Sequence, residues 1–178
     1  MFSNFISEEV RIIVFGTIKS GKSSTANNIL GSKPFETGLS GNGKTKKANR
    51  VALTSNNKIV VVDTPGFFDF QDAIHTGIMK EELSDAINLV YPGPHAIILV
   101  ISVIGFSKTE LDLIKWITDE KKDMLKYIYA VFTGRDILEK ENKSFEKFKE
   151  KLPEPLRKFL HDLKDRVFVL ITQKRPTS

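Results

Sequence analysis

The order of elements along the chain predicts an α/β fold with three layers, α/β/α, around a mostly parallel six-stranded sheet. Strand-like and helix-like segments alternate after a polar start, as they do when helices connect parallel strands. Four apolar runs are typical of strands buried on both faces. They are Lys58 to Val62, Ala96 to Val103, Tyr127 to Phe132 and Val167 to Ile171.

Two further strands complete the predicted sheet. Arg11 to Phe15 is a short apolar run near the N-terminus. Val51 to Thr54 is separated from Lys58 only by the turn Ser55-Asn56-Asn57, so it is predicted to pair with the next strand as a hairpin. A hairpin partner runs antiparallel, which makes this segment the one antiparallel edge strand.

Helices are predicted between the strands. Trp116, Phe145, Phe148 and Phe159 lie among apolar neighbours at helical spacing, so we expect them in the core rather than at a ligand site. The predicted helices cover Lys22–Leu30, Ile74–Leu89, Lys108–Glu120 and two short pieces between Asn142 and Leu163, a region interrupted by Pro153 and Pro155.

Length and composition narrow the class of protein. The 178 residues fit one domain, from residue 10 to 178, after a polar lead-in (1–9) of the kind often disordered at chain ends. There is no cysteine, no apolar stretch of membrane-spanning length and no signal-peptide pattern, so we expect a cytoplasmic protein. The net charge of +5 is modest and scattered, which argues against nucleic acid as a partner.

One run matches the G-x-x-x-x-G-K-[ST] phosphate-loop template at every constrained position. Its members are Gly16, Thr17, Ile18, Lys19, Ser20, Gly21, Lys22 and Ser23, followed by Ser24. The run lies between a predicted strand and a predicted helix, where successive backbone N–H groups can turn toward a polyphosphate. Lys22 would reach the β and γ phosphates, and the Ser23 hydroxyl would ligate Mg²⁺. These features predict a P-loop NTPase fold that binds a nucleoside triphosphate or diphosphate.

A second phosphate-site element ends a predicted strand. Asp63-Thr64-Pro65-Gly66 resembles the Walker B and switch II signature of GTPases. Asp63 would hold Mg²⁺, and the Gly66 N–H would contact the γ-phosphate. Asp63 comes 63 − 23 = 40 residues after Ser23, which leaves room for a helix, a loop and an edge strand.

The polar loop from Gly31 to Lys47 has no periodicity, and a long loop in a compact domain is usually functional or mobile. Thr45 is the candidate whose hydroxyl would complete the magnesium shell and whose N–H would sense the γ-phosphate. Thr37 and Ser40 compete for this role, and Thr45 is explained almost as well as a solvent-exposed loop threonine.

Together these motifs resemble the AIG-type guanine-nucleotide-binding family, the GTPases of immunity-associated proteins, which are related to septins and chloroplast import GTPases. The resemblance spans about residues 10 to 172 and implies a G domain that binds GTP or GDP with Mg²⁺. Besides the phosphate loop, the blocks that carry it are Ser24 to Gly31, Asp63 to Asp69, Tyr91 to Val100 (the most specific) and Val131 to Leu138.

The resemblance also implies where the base is read. In this class a carboxylate after the fifth strand accepts hydrogen bonds from guanine N1–H and N2–H₂, donors that adenine does not offer. Asp136 is the matching residue in the run Thr133-Gly134-Arg135-Asp136, with Gly134 or Arg135 flanking the base. Of the usual Asn-Lys-x-Asp only the aspartate is kept. An alignment shifted by one residue would put Ile137 in its place and remove the specificity residue.

Three positions depart from related GTPases. Thr172, next to Gln173, lies near the last base-contacting loop, where the family usually has an asparagine. Phe67 occupies the place of the glutamine that positions water in Ras-like enzymes, and Gly105 the place of an arginine that some members supply across a dimer. An arginine finger contributes ~10³–10⁵ in rate, so we expect slow intrinsic hydrolysis.

Three functions remain open from the sequence. The favoured one is a GTP-controlled switch or scaffold that assembles as a homodimer through its nucleotide face, as the resemblance implies. The second is an active GTP hydrolase that uses Asp69, His95 or a partner's arginine, although His95 is expected to be a structural hydrogen-bonding residue. The third is a nucleotide-binding interaction module without guanine specificity. Any membrane association would reside in segments outside this chain.

Overall fold

A computed structural model describes residues 9–37, 48–53, 59–66 and 78–170, and within them the strands form a single sheet. The strands are β1 (Val10–Phe15), β2 (Asn49–Leu53), β3 (Ile59–Asp63), β4 (Ala96–Ser102), β5 (Ile128–Thr133) and β6 (Val167–Leu170). Their order is β2-β3-β1-β4-β5-β6; β2 runs antiparallel to β3 at one edge, and the other pairs are parallel. The predicted α/β fold with a mostly parallel sheet is confirmed.

Helices connect these strands. They are α1 (Lys22–Leu30), α2 (Ile78–Asn88), α3 (Lys108–Glu120), α4 (Arg135–Lys140), α5 (Phe145–Glu150) and α6 (Glu154–Leu163), with a 3₁₀ helix at Lys122–Tyr127. No helix in the described part of the chain has the length and apolar character needed to cross a membrane.

The core lies on both faces of the sheet because successive strand residues point to opposite sides. Ile13 and Phe15 of β1 belong to the larger cluster, which the helices from α2 onward cover. Val14, between them, belongs to a smaller cluster with Ala26 and Leu30 of α1. The three predicted layers are therefore present.

The aromatic residues assigned to the core lie there. Trp116 is buried on α3 and Phe159 on α6. Phe145 and Phe148 pack against the buried ring of Phe132, with centroid distances of 5.1 and 6.0 Å. Edge-to-face contacts of this kind add to the stabilisation from apolar burial.

The structure corrects several predicted boundaries. The fifth strand begins at Ile128 rather than Tyr127, because the preceding residues form the 3₁₀ helix. The edge strand begins at Asn49, two residues before the predicted start, and α4 was not predicted at all. Residues 1–8 of the predicted lead-in, the predicted hairpin turn at 55–57 and the first residues of the helix predicted from Ile74 lie outside the described residues.

The parallel strands bring the motif residues to one edge of the sheet. β1, β3 and β5 all end at the same side, and the register pairs Val14 with Asp63. The chain passes from β3 to β4 across β1, so the order reverses beside β1. Ligands of open α/β sheets bind outside the carboxyl ends of strands at such a point.

Candidate functional site

The phosphate loop needs glycine at two places. Gly16 has φ 148°, and a Cβ there would lie 2.5 Å from the Val100 carbonyl oxygen. Gly21 has φ 97°, and a Cβ there would lie 3.1 Å from a methyl carbon of Thr133. A side chain at Gly16 would therefore clash with β4, one at Gly21 would crowd β5, and both positions have the positive φ that favours glycine. Helix α1 begins directly after Gly21.

Lys22 carries its ammonium group into the interior. The residue is 7% exposed, and Nζ donates a hydrogen bond of 2.7 Å to the Thr17 carbonyl oxygen. Burial lowers the pKa of Lys22 from 10.5 to about 8, while the charge of Asp63 acts in the opposite direction. A bound anion beside Nζ would stabilise the charged form, so this lysine is suited to hold phosphate.

Ser23 and Asp63, the two residues predicted to bind metal, meet in space. The Ser23 hydroxyl donates a 2.6 Å hydrogen bond to Oδ2 of Asp63, which is fully buried at the end of β3. In the described ranges no group of three or more His, Cys, Asp or Glu side chains could hold a metal. Mg²⁺ is commonly bound by one or two carboxylates together with waters and substrate phosphates, and one hydroxyl beside one carboxylate fits that chemistry.

Gly66 closes the site from the β3 side. A Cβ on Gly66 would lie 2.6 Å from both Lys22 Nζ and Ile18 Cα, so only glycine fits against the loop. Thr64 holds this segment in place, because its hydroxyl and its N–H both donate to the Val14 carbonyl oxygen, at 2.9 and 3.3 Å. The backbone of Gly66 therefore lies against the phosphate loop, beside Lys22 Nζ.

One buried hydroxyl in the phosphate loop has no hydrogen-bond partner among the described residues, and this bears on whether a nucleotide fits the site. Ser20 is 2% exposed, and its Oγ finds no hydrogen-bond partner among the residues that the structure describes. Buried polar groups are normally satisfied, and an exception calls for a missing ligand or another explanation. An orphaned hydroxyl, a buried ammonium and glycine backbone in one loop fit a polyphosphate.

The predicted base-reading run lies at the end of β5. Thr133, the last strand residue, donates from Oγ1 to the Ser20 carbonyl oxygen at 2.7 Å, which ties this run to the phosphate loop. Gly134 has φ 92°, and a Cβ there would lie 2.8 Å from Val103. Asp136 is half-buried in the first turn of α4, whereas Ile137 packs against the apolar core. The shifted alignment would therefore assign base reading to a core residue.

Sequence reasoning missed Glu110. Its Oε1 accepts a 2.5 Å hydrogen bond from the Thr17 hydroxyl, 93 residues away in the chain. Its Oε2 accepts from the Ser107 N–H at 2.9 Å and from the Ser107 hydroxyl. Ser107-x-x-Glu110 is a capping box at the start of α3, a signal that could have been found. The contact with Thr17 had no local signal.

Asn27 on α1 was missed as well. Its amide donates to the Phe35 carbonyl oxygen at 2.8 Å and accepts from the Phe35 N–H at 3.0 Å. This pair of bonds anchors the first part of the long polar loop to α1. Thr37, one of the switch I candidates, is exposed just beyond that anchor.

The positions of several predicted site residues are not described by the structure. Thr45, Ser40, Phe67, Thr172 and Gln173 are outside the described residues.

His95 has the structural role expected for it. The Arg11 N–H donates to its Nδ1 at 3.0 Å, and its own N–H donates to the Arg11 carbonyl oxygen at 2.8 Å. Arg11 also donates from Nε to the Gly93 carbonyl oxygen at 2.7 Å. These contacts lie at the amino end of β4, the opposite edge from the phosphate loop.

The chain is similar in sequence to curated plant proteins. One curated relative, immune-associated nucleotide-binding protein 5 of Arabidopsis thaliana, is 35% identical over 150 residues; the match covers 80% of this chain and 46% of the relative. The chain thus spans about half of that relative.

Solved structures with the same fold include Toc33 and a related structure. Arabidopsis thaliana Toc33 in complex with GDP and Mg²⁺ superposes with a TM-score of 0.59 at 18% identity, covering 92% of this chain and 69% of that one. A structure of the chloroplast translocon components atToc33 and psToc159, for whose GTPase activity dimerisation is important, gives a TM-score of 0.62 at 17% identity and the same coverage. At these identities the likeness shows the fold alone.

A protein-family model gives the assignment. The model described as the AIG1 family matches residues 10–177, nearly the whole chain. The chain belongs to the AIG1 family.

Proposed function

We propose that this domain binds GTP and GDP together with Mg²⁺ and acts as a nucleotide-controlled switch with slow intrinsic hydrolysis. The observation that carries the proposal is the 2.6 Å contact between Ser23 and Asp63 beside the buried Lys22. Two predicted metal ligands, 40 residues apart in the chain, meet at the mouth of a phosphate loop. The names of the curated relative and of the Toc33 complex support a nucleotide as the ligand.

Each part of the site has one task in this proposal. The N–H groups of the phosphate loop and the Lys22 ammonium bind the phosphates. Ser23 and Asp63 would hold Mg²⁺, which supplies positive charge to the phosphate oxygens. Gly66, packed against Ile18 and Lys22, would give its N–H to the γ-phosphate, so it would sense whether the ligand is GTP or GDP.

Guanine recognition rests on Asp136 in this proposal. Its place in the first turn of α4, after a Thr133 that is tied to the phosphate loop, supports a role at the base end of the ligand. A carboxylate that accepts two hydrogen bonds from guanine would be left unpaired by adenine, which disfavours ATP.

Slow hydrolysis follows from two substitutions. Phe67 stands in place of a water-positioning glutamine, and Gly105 stands in place of a partner-directed arginine. The expected consequence is a domain that keeps GTP bound for long periods. The exposed Ile104 beside Gly105 supports assembly of two domains through this face, in line with the dimerisation named for atToc33 and psToc159.

The test compares nucleotide binding by wild type and two carboxylate variants. Wild type should bind fluorescent GDP in the presence of Mg²⁺, and unlabelled GDP should displace it while ATP should not. Asp136→Asn replaces an acceptor by an amide donor, so we expect the affinity for GDP to fall at least ~30-fold. Xanthosine diphosphate, which has a carbonyl in place of the 2-amino group, should then bind the variant better than it binds wild type.

Glu141→Gln is the matched control, because it removes the same charge at an exposed position just after α4. It should bind GDP as wild type does. Absence of GDP and GTP binding by wild type contradicts the proposed function. Equal displacement by ATP and GDP contradicts guanine specificity and leaves a nucleotide-binding module of broader preference.

A further inference from the structure

Lys19 has a backbone conformation that its side chain disfavours. It has φ 60°, and Lys19, Asn142 and Lys164 are the non-glycine residues with positive φ in the described part of the chain. Glycine takes this conformation freely, whereas an L side chain is strained by it. Strained residues that persist cluster at functional sites.

The Lys19 side chain is exposed, and no described residue gives it a hydrogen bond or an ion pair. Lys22, three residues later, differs, since its ammonium is buried against the Thr17 carbonyl oxygen. The loop thus carries two cations, one buried inside the phosphate cradle and one unengaged at its middle residue. Gly105 stands where some family members have an arginine, so the segment after β4 supplies no positive charge of that kind.

We propose that Lys19 is a catalytic residue whose ammonium group contacts the phosphates of GTP during hydrolysis; this inference rests on the proposed function. In the reaction the oxygen of water bonds to the γ phosphorus, and the bond to the β–γ bridging oxygen breaks. The electron pair stays on that oxygen of GDP, and a proton of the water passes to an oxygen of the released phosphate. Lys19 neutralises the negative charge that grows on the β-phosphate side, as a cation supplied within the same chain.

The test uses single-turnover hydrolysis, with protein in excess over GTP so that a slow rate is still measurable. Lys19→Gly removes the cation and also the backbone strain, so the thermal midpoint should stay at or above that of wild type. Its hydrolysis rate should nevertheless fall at least ~10-fold, while its affinity for GDP stays within about threefold of wild type. Lys19→Arg keeps the charge and should retain the rate.

Lys164→Gly is the matched control. Lys164 is an exposed lysine with φ 55° that precedes β6, at the amino end of the strands and so on the opposite edge from the phosphate loop. The variant likewise replaces a lysine at a positive-φ position by glycine, and it should leave the hydrolysis rate unchanged.

The outcomes separate this inference from the proposed function. If wild type binds no nucleotide, both fail. If wild type binds GTP but Lys19→Gly hydrolyses it at the wild-type rate, or wild type does not hydrolyse it at all, only the assignment of Lys19 is overturned. A loss of rate in Lys164→Gly equal to that in Lys19→Gly also overturns it, because strain rather than charge would then explain both.

Discussion

Lys22 is a single residue whose buried charge links the stability of the protein to the occupancy expected of its site. Its stem and ammonium lie in the interior, where desolvation disfavours the charge, and Asp63 offsets part of that cost. A phosphate beside Nζ would supply the missing compensation. If a phosphate binds there, it would stabilise this charge, and binding would be coupled to stability.

The pH dependence of stability tests this view in nucleotide-free protein with a chelator present. The pKa of Lys22 is lowered from 10.5 to about 8, so between these values the unfolded chain binds more protons than the folded one. The loss of stability caused by the buried charge is therefore complete below pH 8, and it disappears as the pH rises to 10.5. Since one pKa unit corresponds to ~1.4 kcal/mol, the free energy of unfolding of wild type should rise by about 3 kcal/mol over this pH range relative to that of Lys22→Met.

Urea denaturation of both proteins from pH 7 to 10.5 measures the difference between their free energies of unfolding. The variant controls for all other titrating groups, because methionine fills similar space without a charge. If the free energies of unfolding of the two proteins change with pH in parallel, the lowered pKa of Lys22 is contradicted.

Glu110 joins two elements that are distant in the chain. Through Oε2 it caps the start of α3, and through Oε1 it holds the hydroxyl of Thr17 in the phosphate loop. A change in the loop would therefore reach the first turn of α3 through one carboxylate. The segment Ile104 to Ser107 leads from the carboxyl end of β4 into α3, and this contact holds its last residue.

Two variants separate the two halves of this connection. Ser107→Ala removes a cap hydroxyl and should lower stability by about 1 kcal/mol, with the affinity for GDP unchanged. Thr17→Val removes the loop hydroxyl and should lower stability by a similar amount. It should also weaken GDP binding about fivefold, since ~1 kcal/mol of loop positioning is lost. Calorimetric titration and thermal unfolding measure both; equal GDP affinities for the two variants would show that Glu110 serves only as a helix cap.

The whole domain presents an exposed apolar residue at the edge where the strands end. Ile104 is 71% exposed between β4 and α3, next to Gly105. On the opposite edge Tyr91, 85% exposed, precedes β4. If GTP assembles two domains through the nucleotide face, only the first of these residues lies in the contact.

Light scattering with GDP and with a non-hydrolysable GTP analogue tests assembly. Wild type should be monomeric with GDP and dimeric with the analogue. Ile104→Glu places a charge in the contact and should stay monomeric with both ligands, at unchanged nucleotide affinity. Tyr91→Glu is the control on the opposite edge and should dimerise as wild type does. Dimers of Ile104→Glu, or monomers of wild type at high concentration with the analogue, would argue against this interface.

The sequence alone determined the α/β class, the strand pattern and the phosphate loop. These depend on short-range physics: apolar periodicity sets the faces of strands, and glycine sterics set the course of Gly16 to Gly21. Strand ends and the six-residue helix α4 were less well predicted, because a helix as short as Arg135–Lys140 shows too little periodicity in the sequence.

Only the tertiary structure decided which of these residues meet. Ser23 with Asp63, Thr17 with Glu110 and Thr133 with Ser20 are joined by contacts across 40, 93 and 113 residues of chain. The register of the parallel strands brings their ends to one edge, and the burial of Lys22 and the positive φ of Lys19 follow from packing around that edge. Local preference cannot encode such pairings, since they arise when distant segments bury a common core.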